Sequence, residues 1–218
     1  MKKYSIIFGI VLMVAIAVPA SAYTINTLFA TPVDDSDGYT SPYAGVFVQN
    51  FDGSGFGNWQ GNGAIVTGSS SGLYAAPYGQ GAADHTKYLT VPLDYSGVNG
   101  PPVVQVTGFG TANYLGLWWG SMDNYNTFTF YLGNTMVLSF TGTDVITQGA
   151  SSGDQVAYGS NHYVNFVGLP DFDKFEFSSS QFAFEVDNVA IGYNVPEPTT
   201  MLLLGLGILG LAGFRKKS

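Results

Sequence analysis

Cysteine is absent from this chain, and histidine is scarce. The lack of cysteine excludes disulfide bonds, thiol catalysis, cysteine-based zinc sites and thioether attachment to lipid. The two histidines, His85 and His162, do not have the spacing of a paired metal motif such as His-x-x-x-His. No Gly-x-Ser-x-Gly nucleophile motif is present either. A chain without disulfides must be stabilised by its hydrophobic core alone.

Basic residues are nearly absent between residues 23 and 194. This segment contains only Lys87 and Lys174 against fourteen acidic residues, so its formal net charge is −12. Such a surface repels nucleic-acid phosphates and anionic membranes, which excludes both as partners of this segment. Neutral glycans and cations remain suitable ligands.

Helical periodicity is also lacking in this middle segment, which is rich in Gly, Ser, Thr, Asn, Tyr and Phe. Alternation is clear where Phe128 and Phe130 share one face of a strand. Strands at 127–132 and 136–141 are joined by a Gly-Asn turn, and strands are also expected at 182–186 and 189–192. Residues 23–42 are interpreted as an irregular lead. We predict an all-β domain at 23–194, a two-sheet antiparallel sandwich of jelly-roll or carbohydrate-binding-module type.

The N-terminus has the pattern of a secretory signal peptide. Two lysines precede an apolar run at residues 6–18, and Ala20 and Ala22 form a small-residue cleavage site. We therefore expect a signal helix at residues 1–22 that engages the Sec translocon and is removed by signal peptidase before Tyr23. The alternative is a permanent N-terminal anchor.

The C-terminus combines three features. Pro196, Glu197 and Pro198 precede an apolar run at 201–214, and residues 215–217 are basic. A transmembrane helix at about 199–214 would span roughly 21–24 Å, against about 30 Å of bilayer hydrocarbon. The basic end stays in the cytoplasm by the positive-inside rule, so the body faces outward.

This tail, at residues 195–218, resembles a PEP-CTERM sorting signal. The resemblance implies recognition by exosortase, a membrane-embedded cysteine transpeptidase of Gram-negative-type bacteria that make exopolysaccharide. It further implies an inner-membrane intermediate, cleavage near Pro196, Glu197 and Pro198, and delivery of the body to the cell surface or extracellular matrix. The alternative is a simple C-terminal tail anchor.

Three blocks of the middle segment, at residues 114–127, 172–177 and 184–190, resemble one family of exosortase-dependent surface proteins. The resemblance spans roughly residues 47–193. The resemblance implies a secreted surface β-domain, but it implies no particular activity.

Aromatic and polar residues of the body are candidates for glycan contact. Trp59, in a glycine-rich stretch expected to be a loop, could stack on a sugar ring, as could Trp118 and Trp119. In a strand these last two point to opposite faces, so packing in the core is the alternative. Asp123 and Tyr125 add polar groups beside them, although the same segment could be a simple turn.

Asp52 and Asp187 are candidates for a structural Ca²⁺ site. The Asp187-Asn188 segment resembles the last strand of jelly-roll carbohydrate-binding modules, in which a late acid pairs with an N-terminal acid to hold Ca²⁺. Oxygen ligands from carboxylates suit this ion. The alternative is that both residues cap turns.

An enzymatic function has weaker support. Glu176 and Glu185 could form the carboxylate pair of a glycosidase, but the strand pattern places both on a solvated sheet face. The sequence therefore predicts a non-enzymatic, exosortase-processed surface or matrix protein that binds exopolysaccharide. A secreted glycan hydrolase and a purely structural adhesion protein are the alternatives.

Overall fold

The computed structural model describes residues 23–28, 30–33, 38–53, 55–145 and 153–195. Within these ranges the chain forms sixteen strands, one short helix at Gly142–Val145 and one 3-10 turn at Tyr158–Ser160. The strands are β1 Thr24–Asn26, β2 Thr31–Pro32, β3 Tyr39–Thr40, β4 Phe47–Gln49, β5 Asn58–Gly61, β6 Ala64–Val66, β7 Tyr78–Gly79, β8 Ala82–Ala83, β9 Tyr88–Val91, β10 Val103–Thr107, β11 Tyr114–Gly120, β12 Asn126–Leu132, β13 Thr135–Thr141, β14 His162–Val167, β15 Lys174–Ser179 and β16 Phe184–Gly192.

The first sheet has seven strands. Six follow the order β1-β14-β11-β16-β9-β6, and β4 also pairs with β16. The first part of β16 pairs with β9 and its last part with β4, so two short strands share one edge of it. The register between β11 and β16 shifts at this exchange, where Asn188 has a positive φ of 48°. This irregularity is a β-bulge, and residues 182–186 and 189–192 are therefore parts of one bulged strand region rather than two separate strands.

The second sheet has five strands in the order β13-β12-β15-β10-β5, and all its neighbouring pairs are antiparallel. The predicted hairpin is confirmed, since β12 and β13 pair across Gly133 and Asn134. Gly133 has a φ of 58°, a conformation that favours glycine and suits a tight turn.

The two sheets bury their inward faces in one shared core. Phe128 of the second sheet lies 5.8 Å from Phe166 of the first, measured between ring centroids, and Phe177 lies 5.3 Å from Phe184. Each fully buried phenylalanine contributes roughly 1.5–3 kcal/mol of hydrophobic stabilisation. The all-β, antiparallel prediction is confirmed, and the layered arrangement agrees with a sandwich.

Residues expected to form an irregular lead are part of this fold. β1 pairs with β14, and β2 pairs with β3 in a small hairpin. Ser41, just after β3, hydrogen-bonds through its hydroxyl to the Tyr114 hydroxyl at 2.7 Å. The N-terminal segment therefore covers part of the outer face of the first sheet.

The predicted signal helix at residues 1–22 and the predicted transmembrane helix at about 199–214 lie outside the described residues. In the portion of the chain that is described, no helix has both the length and the apolar character needed to span a bilayer.

Candidate functional site

Trp118 and Trp119 point to opposite faces of β11, as the strand pattern predicts, and both are fully buried. Trp119 lies in the core and stacks on Phe184 at a centroid distance of 4.4 Å. Trp118 lies on the outer face, where Tyr39 packs edge-on against it at 6.2 Å. Gly38 contacts this indole so closely that a Cβ there would clash with the ring. Neither indole offers a ring face to a ligand in this arrangement.

Trp59 lies in an edge strand, β5, and not in the loop that the sequence suggested. Its ring stacks on Phe177 at 6.0 Å with an interplanar angle of 14°. Its Nε1–H donates a hydrogen bond of 2.7 Å to the carbonyl oxygen of Phe56. The alternating pattern of β5 turns this half-buried side chain toward the core, where it closes one edge.

Asp52 and Asp187 lie at the place where β4 and β9 meet along β16. Asp52 follows β4, and its exposed carboxylate accepts a hydrogen bond of 3.2 Å from the backbone N–H of Lys87, just before β9. Asp187 is in β16 and is buried. Among the described residues, no group of three or more histidine, aspartate or glutamate side chains could hold a metal. Calcium binding by these two acids stays a prediction.

Asp123 and Tyr125 occupy the turn between β11 and β12, and both line a cavity of about 150 Å³. We call it the polar cavity; residues 72–75, 121–125, 153–155 and 182–185 contribute to its wall. The Tyr125 hydroxyl donates a hydrogen bond of 3.1 Å to the Phe182 carbonyl oxygen. Gly153 approaches the Asp123 carboxylate closely enough that a Cβ would clash with it. This turn therefore connects β11 to β12 and also forms part of the wall of the polar cavity.

Glu185 also lines the polar cavity, and it is only 2 % exposed. The expected solvated sheet face is therefore wrong for this residue, because the chain around Ala75 covers it. Its Oε1 accepts a hydrogen bond of 2.9 Å from the backbone N–H of Ala75. Removal from water, with a smaller contribution from the Asp123 charge, raises the pKa of Glu185 to about 8. Burial likewise raises the pKa of Asp123.

Glu176 and Glu185 cannot act as a glycosidase pair. Glu176 is on the outer face of the second sheet, where it accepts a hydrogen bond of 2.8 Å from the Tyr131 hydroxyl and lies 3.7 Å from Lys174 Nζ. Glu185 is on the outer face of the first sheet. Packed sheets are about 10 Å apart, and the aromatic core lies between these two carboxylates.

A second concave region lies on the other side of the 153–160 segment. We call it the tyrosine groove; it joins cavities of about 270 and 120 Å³ that share Tyr39, Tyr158 and Asn161. Tyr78 lines the larger part and His162 the smaller part. Tyr158 is 71 % exposed, and its ring packs edge-on against His162 at 4.4 Å.

The described lining of the tyrosine groove carries no charged side chain at neutral pH. It contains no aspartate, glutamate, lysine or arginine, and burial lowers the pKa of His162 below its ordinary value of 6.5. This groove could not be predicted from the sequence, because Tyr39, Tyr78 and Tyr158 are far apart in the chain and follow no common spacing.

Comparison with known proteins identifies the C-terminal segment. Residues 194–217 match the PEP-CTERM protein-sorting motif, so the chain carries this sorting signal. The motif implies exosortase processing, export and a location at the cell surface or outside the cell. No curated protein matches the chain.

Two solved structures of adhesin domains resemble the chain distantly. The K2 cleaved adhesin domain of Lys-gingipain is 10 % identical with a TM-score of 0.31, over 69 % of this chain and 99 % of that one. The K1 cleaved adhesin domain of Lys-gingipain from Porphyromonas gingivalis W83 is 14 % identical with a TM-score of 0.32, over 79 % and 99 % respectively.

Proposed function

We propose that this exosortase-sorted surface protein is non-catalytic and binds neutral polysaccharide of the extracellular matrix through the tyrosine groove. In this proposal residues 1–22 are removed, residues 195–218 hold an inner-membrane intermediate until exosortase acts, and residues 23–194 are the exported domain. The observation that carries the binding proposal is a tyrosine-lined groove whose described lining is uncharged, in a segment whose formal net charge is −12.

The chemistry of the groove suits sugars. A tyrosine offers an apolar ring face to the C–H groups of a pyranose and a hydroxyl to its oxygens. Tyrosine also has few rotatable bonds, so ordering it on a ligand costs little conformational entropy. Because the described lining carries no charge, a neutral glycan does not have to desolvate an ion on binding.

Tyr158→Ala is expected to weaken polysaccharide binding about fivefold to tenfold, because it removes the most exposed ring of the groove. The measurement is affinity electrophoresis of the exported protein in gels containing dextran or hydroxyethyl cellulose, with alginate as the acidic comparison.

Tyr193→Ala is the matched control, since Tyr193 is 55 % exposed and lies beyond β16, outside the groove. The control is expected to migrate like the wild type. Equal retardation of both variants, or no retardation of the wild type in any neutral polymer, would contradict the proposal and favour a purely structural matrix role.

A structural Ca²⁺ ion at Asp52 and Asp187 is a second part of the proposal, supported by their common position at the β4–β9 junction. At Ca²⁺ a hundredfold above its dissociation constant, the stabilisation is about 2.7 kcal/mol, or about 5–10 °C in melting temperature. Asp52→Asn is expected to remove that share of the Ca²⁺-dependent rise, measured by calorimetry with and without chelator. A wild-type transition that does not respond to chelator would end this part of the proposal.

A further inference from the structure

The polar cavity contains two buried oxygen atoms that lack a protein hydrogen-bond partner among the described residues. They are Oε2 of Glu185 and Oγ of Ser121, and both residues line the cavity. Leaving a buried polar atom unpaired costs about 1–3 kcal/mol, and more for a charged group. A cavity whose wall contains two of them suits a ligand that supplies the missing interaction.

No basic side chain in the described lining of the cavity balances the negative charge of an ionised Glu185. Lys87 and Lys174 are the only basic residues between 23 and 194, and neither lines the cavity. Lys174 instead pairs with Glu176 on the second sheet. Asp123 adds a second carboxylate to the cavity wall, so the local field is negative.

The donors around the cavity are oxygen atoms. Glu185 and Asp123 provide carboxylates, Ser121 a hydroxyl and Gln155 an amide. Oxygen donors of mixed charge select a hard cation, and Ca²⁺ accepts six to eight of them in irregular geometry. Mg²⁺ is less suited, because it requires near-ideal octahedral geometry at short distances and gives up its water ligands reluctantly.

We propose that the polar cavity is a Ca²⁺ site in which Glu185 and Asp123 are the charged ligands. Ser121, Gln155 and water complete the coordination, which explains how a site with two carboxylates suffices. The ion links residues 121–125, 153–155 and β16. The site is separate from the acids at the β4–β9 junction, since neither Asp52 nor Asp187 lines this cavity. It is also independent of glycan binding in the tyrosine groove.

The test is a CaCl₂ titration by isothermal titration calorimetry of exported protein that has been treated with EDTA and dialysed. Glu185→Gln is expected to weaken binding at this site at least tenfold, because it replaces the buried charged ligand by a neutral one of the same shape. Glu176→Gln, the same change on the opposite sheet, is expected to bind like the wild type. Asp52→Asn is expected to retain this binding event, which separates it from a site at the junction.

A second variant and a second measurement distinguish loss of Ca²⁺ binding from misfolding. Asp123→Asn alters the less buried ligand and is expected to weaken Ca²⁺ at least tenfold, with an unchanged near-ultraviolet circular dichroism spectrum. In an Asp52→Asn background, which removes a site at the junction, Tb³⁺ emission sensitised by nearby aromatic rings should appear, be displaced by Ca²⁺ and be lost when Glu185→Gln is added. A wild type that binds no Ca²⁺, or wild-type affinity in both cavity variants, overturns the proposal and leaves Glu185 as a buried, protonated acid.

Discussion

A variant in which Pro196, Glu197 and Pro198 are all replaced by alanine is expected to remain in the inner membrane with its C-terminal segment intact. Each proline fixes φ near −65° and removes one backbone N–H, so the sequence of the natural segment favours an extended conformation. An extended segment can lie in a peptidase groove as a strand does. Alanine favours helix, so the variant would extend the helix predicted at about 199–214 outward and take the cleavage site out of an extended conformation.

Cell fractionation and intact mass spectrometry measure this effect directly. Nearly all of the variant should be found in the inner membrane at the precursor mass, whereas the wild type is expected at the surface, at the mass of a chain without its tail. Replacing Thr199 and Thr200 with alanine is the matched control, because it changes the neighbouring residues and keeps the motif. If the motif variant reaches the surface at the mature mass, exosortase does not process this chain at these residues.

The sorting signal could be found from sequence because its parts are contiguous. Residues 194–217 contain the motif, the apolar run and the basic end in a fixed order. The strands could be found for a related reason, since alternation is local. The strand predicted at 127–132 is observed as β12 at Asn126–Leu132, and its hairpin with β13 could be predicted from the Gly-Asn turn.

The residues that cover each face of a strand could not be predicted from local alternation. A period of two places Trp118 and Trp119 on opposite faces, but it does not reveal what covers the outer face. In the structure, Gly38 and Tyr39 cover Trp118 from about eighty positions earlier in the chain. Contacts at such separations leave no mark in local periodicity.

For Glu185, too, the residues that cover the side chain could not be predicted from local sequence. The polar side chain of Glu185 within β16 predicted that this position faces solvent. In the structure its carboxylate accepts a hydrogen bond from the backbone N–H of Ala75, which is 110 positions away in sequence. The polar cavity likewise combines four separate segments. Asp123 and Tyr125 were predicted as glycan contacts because they are close together and lie beside an aromatic pair, whereas Glu185 was considered only as half of a glycosidase pair.

Glu185→Gln is expected to stabilise the protein at pH 8 in EDTA and to leave its stability nearly unchanged at pH 4.5. The pKa of Glu185 is raised from its ordinary value of 4.5 to about 8 in the folded state. Between these two values the folded chain holds a proton that the unfolded chain has lost. Stability of the wild type therefore falls as pH rises through this window, at up to about 1.4 kcal/mol per pH unit.

The wild type loses on the order of 4 kcal/mol of its free energy of unfolding between pH 4.5 and 8. A glutamine at this position does not titrate, so the variant has no such loss. Denaturant unfolding at several pH values measures the slope. The groups that face Glu185 are Asp123, Tyr125 and Tyr88, and burial raises the pKa of all three, so both tyrosines stay neutral through this window.

Glu176→Gln tests whether the slope belongs to Glu185, because it makes the same chemical change on the outer face of the other sheet. This control should keep the wild-type slope between pH 5 and 8, while Glu185→Gln flattens it. Added Ca²⁺ should act in the opposite sense, since a cation bound to the ionised carboxylate stabilises the wild type at pH 8. Glu185→Gln should gain less from Ca²⁺, because it keeps only the stabilisation that an ion at Asp52 and Asp187 provides. A wild type whose stability in EDTA does not fall between pH 5 and 8 would show that this carboxylate is hydrated or paired in solution, contrary to the buried arrangement described above.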